Sequence, residues 1–554
     1  MRFAAIFALS LVFLVTPSVV AAQNSEEANQ TTEQKKVDGI FAAFDKPDSP
    51  GCAVGVIRDG MFVYRHGYGM ASLELQAPLT PASVFYMGSV SKQFTAASVV
   101  LAQEQGLLSL DDDVRKYIPE LPDYGTPITL REMLHHTSGL RDFLGLLELS
   151  GRHTEDIHSQ AEMLDLIVRQ KALNNKPGDE YIYSNTNYFL AGMVLERVSK
   201  KPYSEFAAAN IFKPLGMTYT RFYDDRSVVV PGRVAAYSAG KDGKFDVDWS
   251  TNYDTVGAGG LMSTVDDLLA WDQNFYQNKL GKGTLIKEME TRGVLNNGKQ
   301  LDYALGLGIT TYRGLPIVEH DGALLGYRTS VLRFPEQKFT VICLCNLASS
   351  NPGTLADKVA DIYLAKDLKP EATPQAASGS SDGKFPDPLE FAGKYEDPRS
   401  HWIFTFTASD GELHGWGAPL RRTGVNRFKD LEGDDMTFTE ASGTTKLVLD
   451  MHGTPLFEGY KLKELKVSES LLAGFAGTYR SEELDAVYKL SAEKDGLMLR
   501  IGWNPPVMLT PIAPNEFEND EFGVLVFRKG ASGGVSGFGL YADRDRNIGF
   551  EKVE

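Results

Sequence analysis

The 554-residue sequence has little cysteine and little histidine, three and nine residues respectively. Three Cys exclude a disulfide scaffold and any Cys-rich zinc module. No His-Glu-x-x-His pattern is present, so no metal or other cofactor is expected. Positive charge is short as well: 56 Lys+Arg stand against 73 Asp+Glu, for a formal net charge of −17. No basic run offsets that balance, which argues against a nucleic-acid partner, because phosphate affinity draws on Lys and Arg. The negative surplus reads as a solubility feature and names no partner. Beyond the N-terminus no stretch is long and apolar enough to span a bilayer. What is there is ordinary globular composition, 43% apolar and 23% charged, which excludes disorder as the main state. The length suits two to four domains.

Arg2 precedes thirteen residues, Phe3 to Val15, interrupted only by Ser10, and Val20-Ala21-Ala22 follows. This spells an export signal over 1–22 with cleavage after Ala22. As a helix the run spans about 20 Å, short of the ~30 Å hydrocarbon core, so no stable membrane anchor is expected. The mature chain is expected outside the cytoplasm, periplasmic or extracellular. Residues 23–37 read as a polar, flexible leader, 38–365 as one continuous apolar-periodic domain, and 366–388, rich in Pro, Ala, Ser and Gly, as a linker. The remainder alternates apolar and polar residues between Asp-Gly, Glu-Gly and Ser-Gly pairs, which predicts antiparallel strands. Phe391-Ala392-Gly393-Lys394-Tyr395 recurs as Phe475-Ala476-Gly477-Thr478-Tyr479, and Asp410-Gly411 recurs as Asp495-Gly496. Two related β units, 389–466 and 471–554, are expected from this echo.

Ser-x-x-Lys occurs four times, but only Ser89-Val90-Ser91-Lys92 opens a long helical pattern, from about 90 to 105, with Gly106 at its end. Phe94, Ala97 and Leu101 would share its buried face. A Ser hydroxyl needs a base to become a nucleophile, and a desolvated Lys one helical turn away can be that base. The plainer local reading is that Ser89 caps the helix. Two further segments bear on the choice. Tyr183-Ser184-Asn185 lies in what reads as a turn or loop, and His320-Asp321-Gly322-Ala323 lies in a strand-rich stretch. His135 and His136 are adjacent and read as structural.

With these three motifs in this order, the sequence resembles the penicillin-recognising serine hydrolases of the class C β-lactamase and D-amino-acid peptidase type. The stretches Leu134-His135-His136-Thr137-Ser138-Gly139-Leu140 and Gly259-Gly260-Leu261-Met262-Ser263-Thr264 add to the likeness. The resemblance covers 38–365. It implies an α/β (α+β) domain with an antiparallel sheet flanked by helices, followed by an all-β, barrel-like or lipocalin-like region. It implies that Ser89 forms an acyl-enzyme and that Lys92 and Tyr183 share the proton transfers, with Lys92 depressing the Tyr183 pKa. Asn185 would hold the substrate amide, Gly322 would let its strand approach the substrate, and the N–H groups of Ser89 and Ala323 would form the oxyanion hole. His320 stands where most β-lactamases carry Lys and is more typical of D-peptidases; it is expected to titrate near pH 6. In this family the segments holding Cys52 and Cys343/Cys345 are neighbours, so Cys52 is within range of either; three buried thiols is the plainer expectation. The implied activity is hydrolysis of small amides or short peptides, D-amino-acid-containing ones first, with esters or β-lactams as alternatives. Outside enzymes, the alternative is a cell-wall or ligand-binding protein with idle motifs. Oligomeric state is left open.

Overall fold

In the computed structural model the described residues are 31–153, 156–248, 254–370, 387–430, 434–441, 443–451, 454–463, 465 and 467–553. The expected export signal and residues 371–386 of the expected linker lie outside them. The leader does not extend to residue 37. Helix α1, Thr32–Phe41, covers its end and opens with a capping box: Gln34 N–H donates to the Thr31 hydroxyl and the Gln34 side chain accepts from Thr31 N–H. Val37 and Phe41 are buried, so the polar composition of this segment belongs to an amphipathic helix and not to a free tail.

The catalytic-type domain is built on a six-stranded antiparallel sheet. Its strands are β1 (Cys52–Arg58), β2 (Met61–Tyr68), β3 (Gly308–Tyr312), β4 (Leu315–Leu324), β5 (Tyr327–Phe334) and β6 (Phe339–Cys345), in the order β3-β4-β5-β6-β1-β2. The N-terminal hairpin therefore pairs with the C-terminal strands, and the helices lie between them in sequence. β1 and β6 are largely apolar and nearly all buried because both faces of the sheet are covered. One face carries α1 and α6 (Pro352–Tyr363). The other carries α2 (Ser91–Glu104) and α5 (Val265–Gln277), with α3 (Phe143–Leu149) and α4 (Asn185–Ser199) beyond. α2 starts and ends close to expectation, but its burial does not follow a single face. Every residue from Ser91 to Ala102 is buried, because the helix is wedged between sheet and helical layers.

Cys52 and Cys345 are direct cross-strand partners on β1 and β6, and they form a disulfide. The expectation of three free thiols is thus corrected: Cys343 alone is free, and it is buried. Two residues apart on one strand, Cys343 and Cys345 share a face, so register alone decides which of them meets Cys52.

The C-terminal region is all-β. Residues 393–461 form a nine-stranded antiparallel sheet whose two edge strands, Ala418–Pro419 and Arg421–Arg422, are separated by Leu420 alone, so the sheet must curl on itself. Residues 477–552 form a closed eight-stranded barrel. The sequence echo has a structural counterpart. Tyr395 donates its hydroxyl to Phe391 O at 2.9 Å, and Tyr479 donates to Phe475 O at 2.7 Å.

The closed barrel docks on the start of α3. Arg141 Nη1 pairs with Glu483 Oε1 at 2.6 Å, with side chains 1% and 6% exposed, and Arg141 Nη2 donates to the carbonyls of Arg546 and Asn547. Asp142 N–H donates to Asp545 Oδ1 at 2.8 Å, and Tyr488 donates to Leu149 O. Removing Arg141 leaves Glu483 buried without its cation, so Arg141→Met is expected to cost about 3 kcal/mol or more, read as a lower urea midpoint. Thiol labelling of the unfolded chain is expected to find one reactive cysteine without reductant and three with it. Three labels without reductant would rule out the Cys52–Cys345 bond.

Candidate active site

A single 3₁₀ turn, Gly88–Val90, carries the chain from the sheet region into α2. Gly88 has φ +52°, and a Cβ there would lie 2.6 Å from Ala323 N. Opposite it, a Cβ on Gly322 would lie 2.1 Å from Met87 O and 3.0 Å from Ser89 N. Two glycines therefore let the turn and β4 meet backbone to backbone, which brings Ser89 N and Ala323 N to one contact. Thr329 on β5 donates to Met87 O at 2.8 Å and pins the turn. Of the residues from Ser83 to Ala102, Ser89 alone is not buried. It does not cap α2: the cap position is Val90, without a side-chain hydrogen bond, and Ser91 instead donates to Gly88 O.

Lys92 is fully buried, and its Nζ donates to Ser89 Oγ at 2.9 Å, Asn185 Oδ1 at 2.8 Å and Ala258 O at 2.9 Å. Burial pushes its pKa well below the usual lysine range; the Asp142 carboxylate opposes this and Arg544 adds to it. Asn185 is the first residue of α4, not part of a loop. Its amide is oriented by Asp142, whose Oδ2 accepts from Asn185 Nδ2 at 2.8 Å and from Asn185 N–H at 3.1 Å. That fixes Oδ1 toward Lys92.

The ring of Tyr183 lies 4.8 Å from Lys92 Nζ, and its hydroxyl is hydrogen-bonded to Ser89. The expected depression of its pKa does not occur. Burial pushes it upward and outweighs the Ser89 hydrogen bond and the Arg544 charge. Tyr183 is therefore a protonated phenol, able to donate.

His320 lies on β4, 6.5 Å from the Tyr183 ring between centroids. Its Nδ1 is 2.7 Å from Asp321 O and its Nε2 is 3.0 Å from the Tyr303 hydroxyl. The first contact requires Nδ1–H, which leaves Nε2 to accept from Tyr303. Burial, then the Lys92 charge, push its pKa down to about 4. The expectation of a titration near pH 6 is corrected accordingly: both ring nitrogens are engaged in a dry site and the ring is neutral there.

Sequence reasoning passed over three residues. His136, read as structural, packs on Tyr183 at 4.2 Å between ring centroids, and its Nδ1 accepts from Ser184 N–H at 3.1 Å. It lay inside a quoted motif and carried no separate signal. His135 turns away to Thr291 O, in keeping with its structural reading. Asp142, the orienter of Asn185, follows that motif by two residues. Arg544 comes from the closed barrel: its guanidinium lies 4.9 Å from the Tyr183 ring centroid and 3.4 Å from Asp142 Oδ2. Nothing in the turn Asp543-Arg544-Asp545 distinguishes it from an ordinary hairpin tip. Beside Ser89 is a narrow cleft of about 50 Å³, lined by Tyr86, Phe143, Phe189, Val256 and Ala323 among others.

His320 is disfavoured in its charged form when folded, so stability is expected to fall as pH drops from about 6.5 toward 4. His320→Gln should lessen that acid sensitivity in thermal melts while leaving any pH–rate limb near 6 where it was. A limb that disappears in the variant would restore His320 as a titrating group.

Residues 37–366 match the Beta-lactamase family. Penicillin-binding protein 4* of Bacillus subtilis is 30% identical over 332 residues, 57% of this chain and 72% of its own length. A D-aminopeptidase of Brucella melitensis is 25% identical over 540 residues, 91% of this chain and 96% of its own. The octameric penicillin-binding protein homologue from Pyrococcus abyssi superposes with a TM-score of 0.55 at 23% identity, over 80% of this chain and all of its own, and shows the shared fold. With its family match over more than half its length and with Ser89, Lys92, Tyr183 and Asn185 gathered at one cleft, the chain belongs to the Beta-lactamase family.

Proposed function

We propose that the protein is an exported serine hydrolase that cleaves small amides or short peptides with a D-amino acid at the scissile bond, in the manner of a D-aminopeptidase. The observation that carries the hydrolase reading is the bridging of Ser89 and Asn185 by one buried amine. A neutral Lys92 has two N–H groups and one lone pair. Asn185 Oδ1 and Ala258 O are acceptors only, so they take the two N–H groups and leave the lone pair facing the Ser89 hydroxyl. Ser89 Oγ then attacks the carbonyl as its proton passes to Lys92, and the N–H groups of Ser89 and Ala323 stabilise the oxyanion, each typically worth ~3 kcal/mol. Tyr183, protonated and hydrogen-bonded to Ser89, is placed to pass a proton to the leaving amine. Water attack on the acyl-enzyme runs the same transfers in reverse.

The D-aminopeptidase reading is supported by the likeness to the Brucella proteins of that name, which runs through the β region as well as the hydrolase domain. Export is supported by the Phe3–Ala22 pattern and by the Cys52–Cys345 disulfide, which an oxidising compartment maintains.

The test is a panel of D- and L-alanine p-nitroanilides, a D-Ala-D-Ala peptide, a short-chain p-nitrophenyl ester and a chromogenic cephalosporin, run on wild type and Ser89→Ala. The D-alanine anilide is expected to be the best amide substrate, and Ser89→Ala should lose at least about 10⁴-fold in kcat/KM. Equal activity of the two proteins on every substrate would leave the motifs idle. Preference for the cephalosporin or the ester would replace the peptidase reading.

A further inference from the structure

The cleft beside Ser89 adjoins a larger space. A chamber of about 780 Å³ opens between α3, the curled sheet and the closed barrel, and it shares Leu144 and Asn185 with the cleft. Its volume is that of a site for a multi-residue ligand, whereas the cleft at about 50 Å³ has room for little beyond one small side chain. The cleft is walled by the buried rings of Tyr86, Phe143 and Phe189, so a substrate can place only a chain end there. If the protein releases an N-terminal residue, that end is the acyl residue and the rest of the peptide departs past Asn185. If it releases a C-terminal residue, the donor peptide takes the same exit. Either way the non-terminal part of the substrate enters the chamber.

The chamber walls suit a peptide. Trp402, Phe522 and Tyr541 offer aromatic faces from both β units, and Asn504 and Asn519 add amide groups. The charge is uneven. Glu518, Asp520, Glu521 and Asp543 line it along with Arg152 and Arg544, and both arginines are already engaged. Arg152 pairs with Glu162 at 3.3 Å, and Arg544 is held by Asp142 and Asp543. Lys394 reaches Glu518 and Asp520, which leaves Glu521 exposed at the wall.

We propose that this chamber is the binding site for the peptide beyond the terminal residue, and that the substrates are oligopeptides with neutral or cationic tails rather than free amino-acid amides. This rests on the serine-hydrolase reading above and adds the class of substrate to it.

The experiment compares D-alaninamide, D-Ala-Gly-Gly-amide, D-Ala-Gly-Lys-amide and D-Ala-Gly-Glu-amide by kcat/KM on wild type, Glu521→Lys and Val507→Trp. The tripeptide amides are expected to exceed D-alaninamide by about tenfold or more, with the Lys tail ahead of the Glu tail by about fivefold, the size of one exposed charge contact. Glu521→Lys should reverse the order of the two tails. Val507→Trp, which places an indole at the chamber wall, should lower the ratio of tripeptide to D-alaninamide. Calorimetric binding of the same peptides to Ser89→Ala reads the chamber without turnover, and melting curves check that each variant is folded. Length-dependent binding without hydrolysis by wild type would overturn the function and keep the chamber. Hydrolysis with no dependence on length, tail charge or either substitution would overturn the chamber and keep the function.

Discussion

Burial of the Lys92 amine is the constraint from which the site follows. A charged amine is costly in a dry interior, and three polar partners within 2.9 Å hold the Lys92 nitrogen only if each stays where it is. Ser89 is held by the turn that two glycines permit, Ala258 by the loop beneath α4, and Asn185 by the Asp142 carboxylate. The same burial raises the Tyr183 phenol and lowers His320, so one dry pocket leaves a weakened base, a protonated tyrosine and a neutral histidine side by side. The pKa directions are three readings of one desolvated volume.

Asp142 extends that constraint to the other half of the chain. It caps α3 through Leu144 N–H, orients Asn185, and is itself gripped by Asp545 and Arg544 of the closed barrel. The barrel is thus a wall of the site as much as a neighbour of it. The buried Arg141–Glu483 pair beside this contact favours a single docked position, because its carboxylate is satisfied only there.

Much of this could be read from the sequence where short-range rules decide. The helix opened by Ser89-x-x-Lys92, the strand around His320-x-Gly322 and the β texture after residue 389 all follow from local periodicity and turn chemistry. The doubled Phe-Ala-Gly-x-Tyr segment even marks the same tyrosine–carbonyl hydrogen bond twice. What escaped is what depends on partners distant in sequence. The polar segment before residue 38 becomes a helix because α6 offers it an apolar face. Cys345 rather than Cys343 bonds to Cys52 because of strand register. His136 looked bland because its importance lies in the ring it packs against. Arg544 was invisible because no local pattern announces that a hairpin tip is inserted into another domain's site.

That insertion has a consequence in time. Ser89, Lys92 and Asn185 are made early in synthesis, whereas Arg544 and Asp545 emerge hundreds of residues later, at the last hairpin of the closed barrel. A growing chain therefore carries its nucleophile through most of its synthesis without the contacts that hold Asp142, and hence Asn185, in place. The reactive arrangement is the last thing the fold completes, so the order of assembly delays full competence until the barrel has closed and docked.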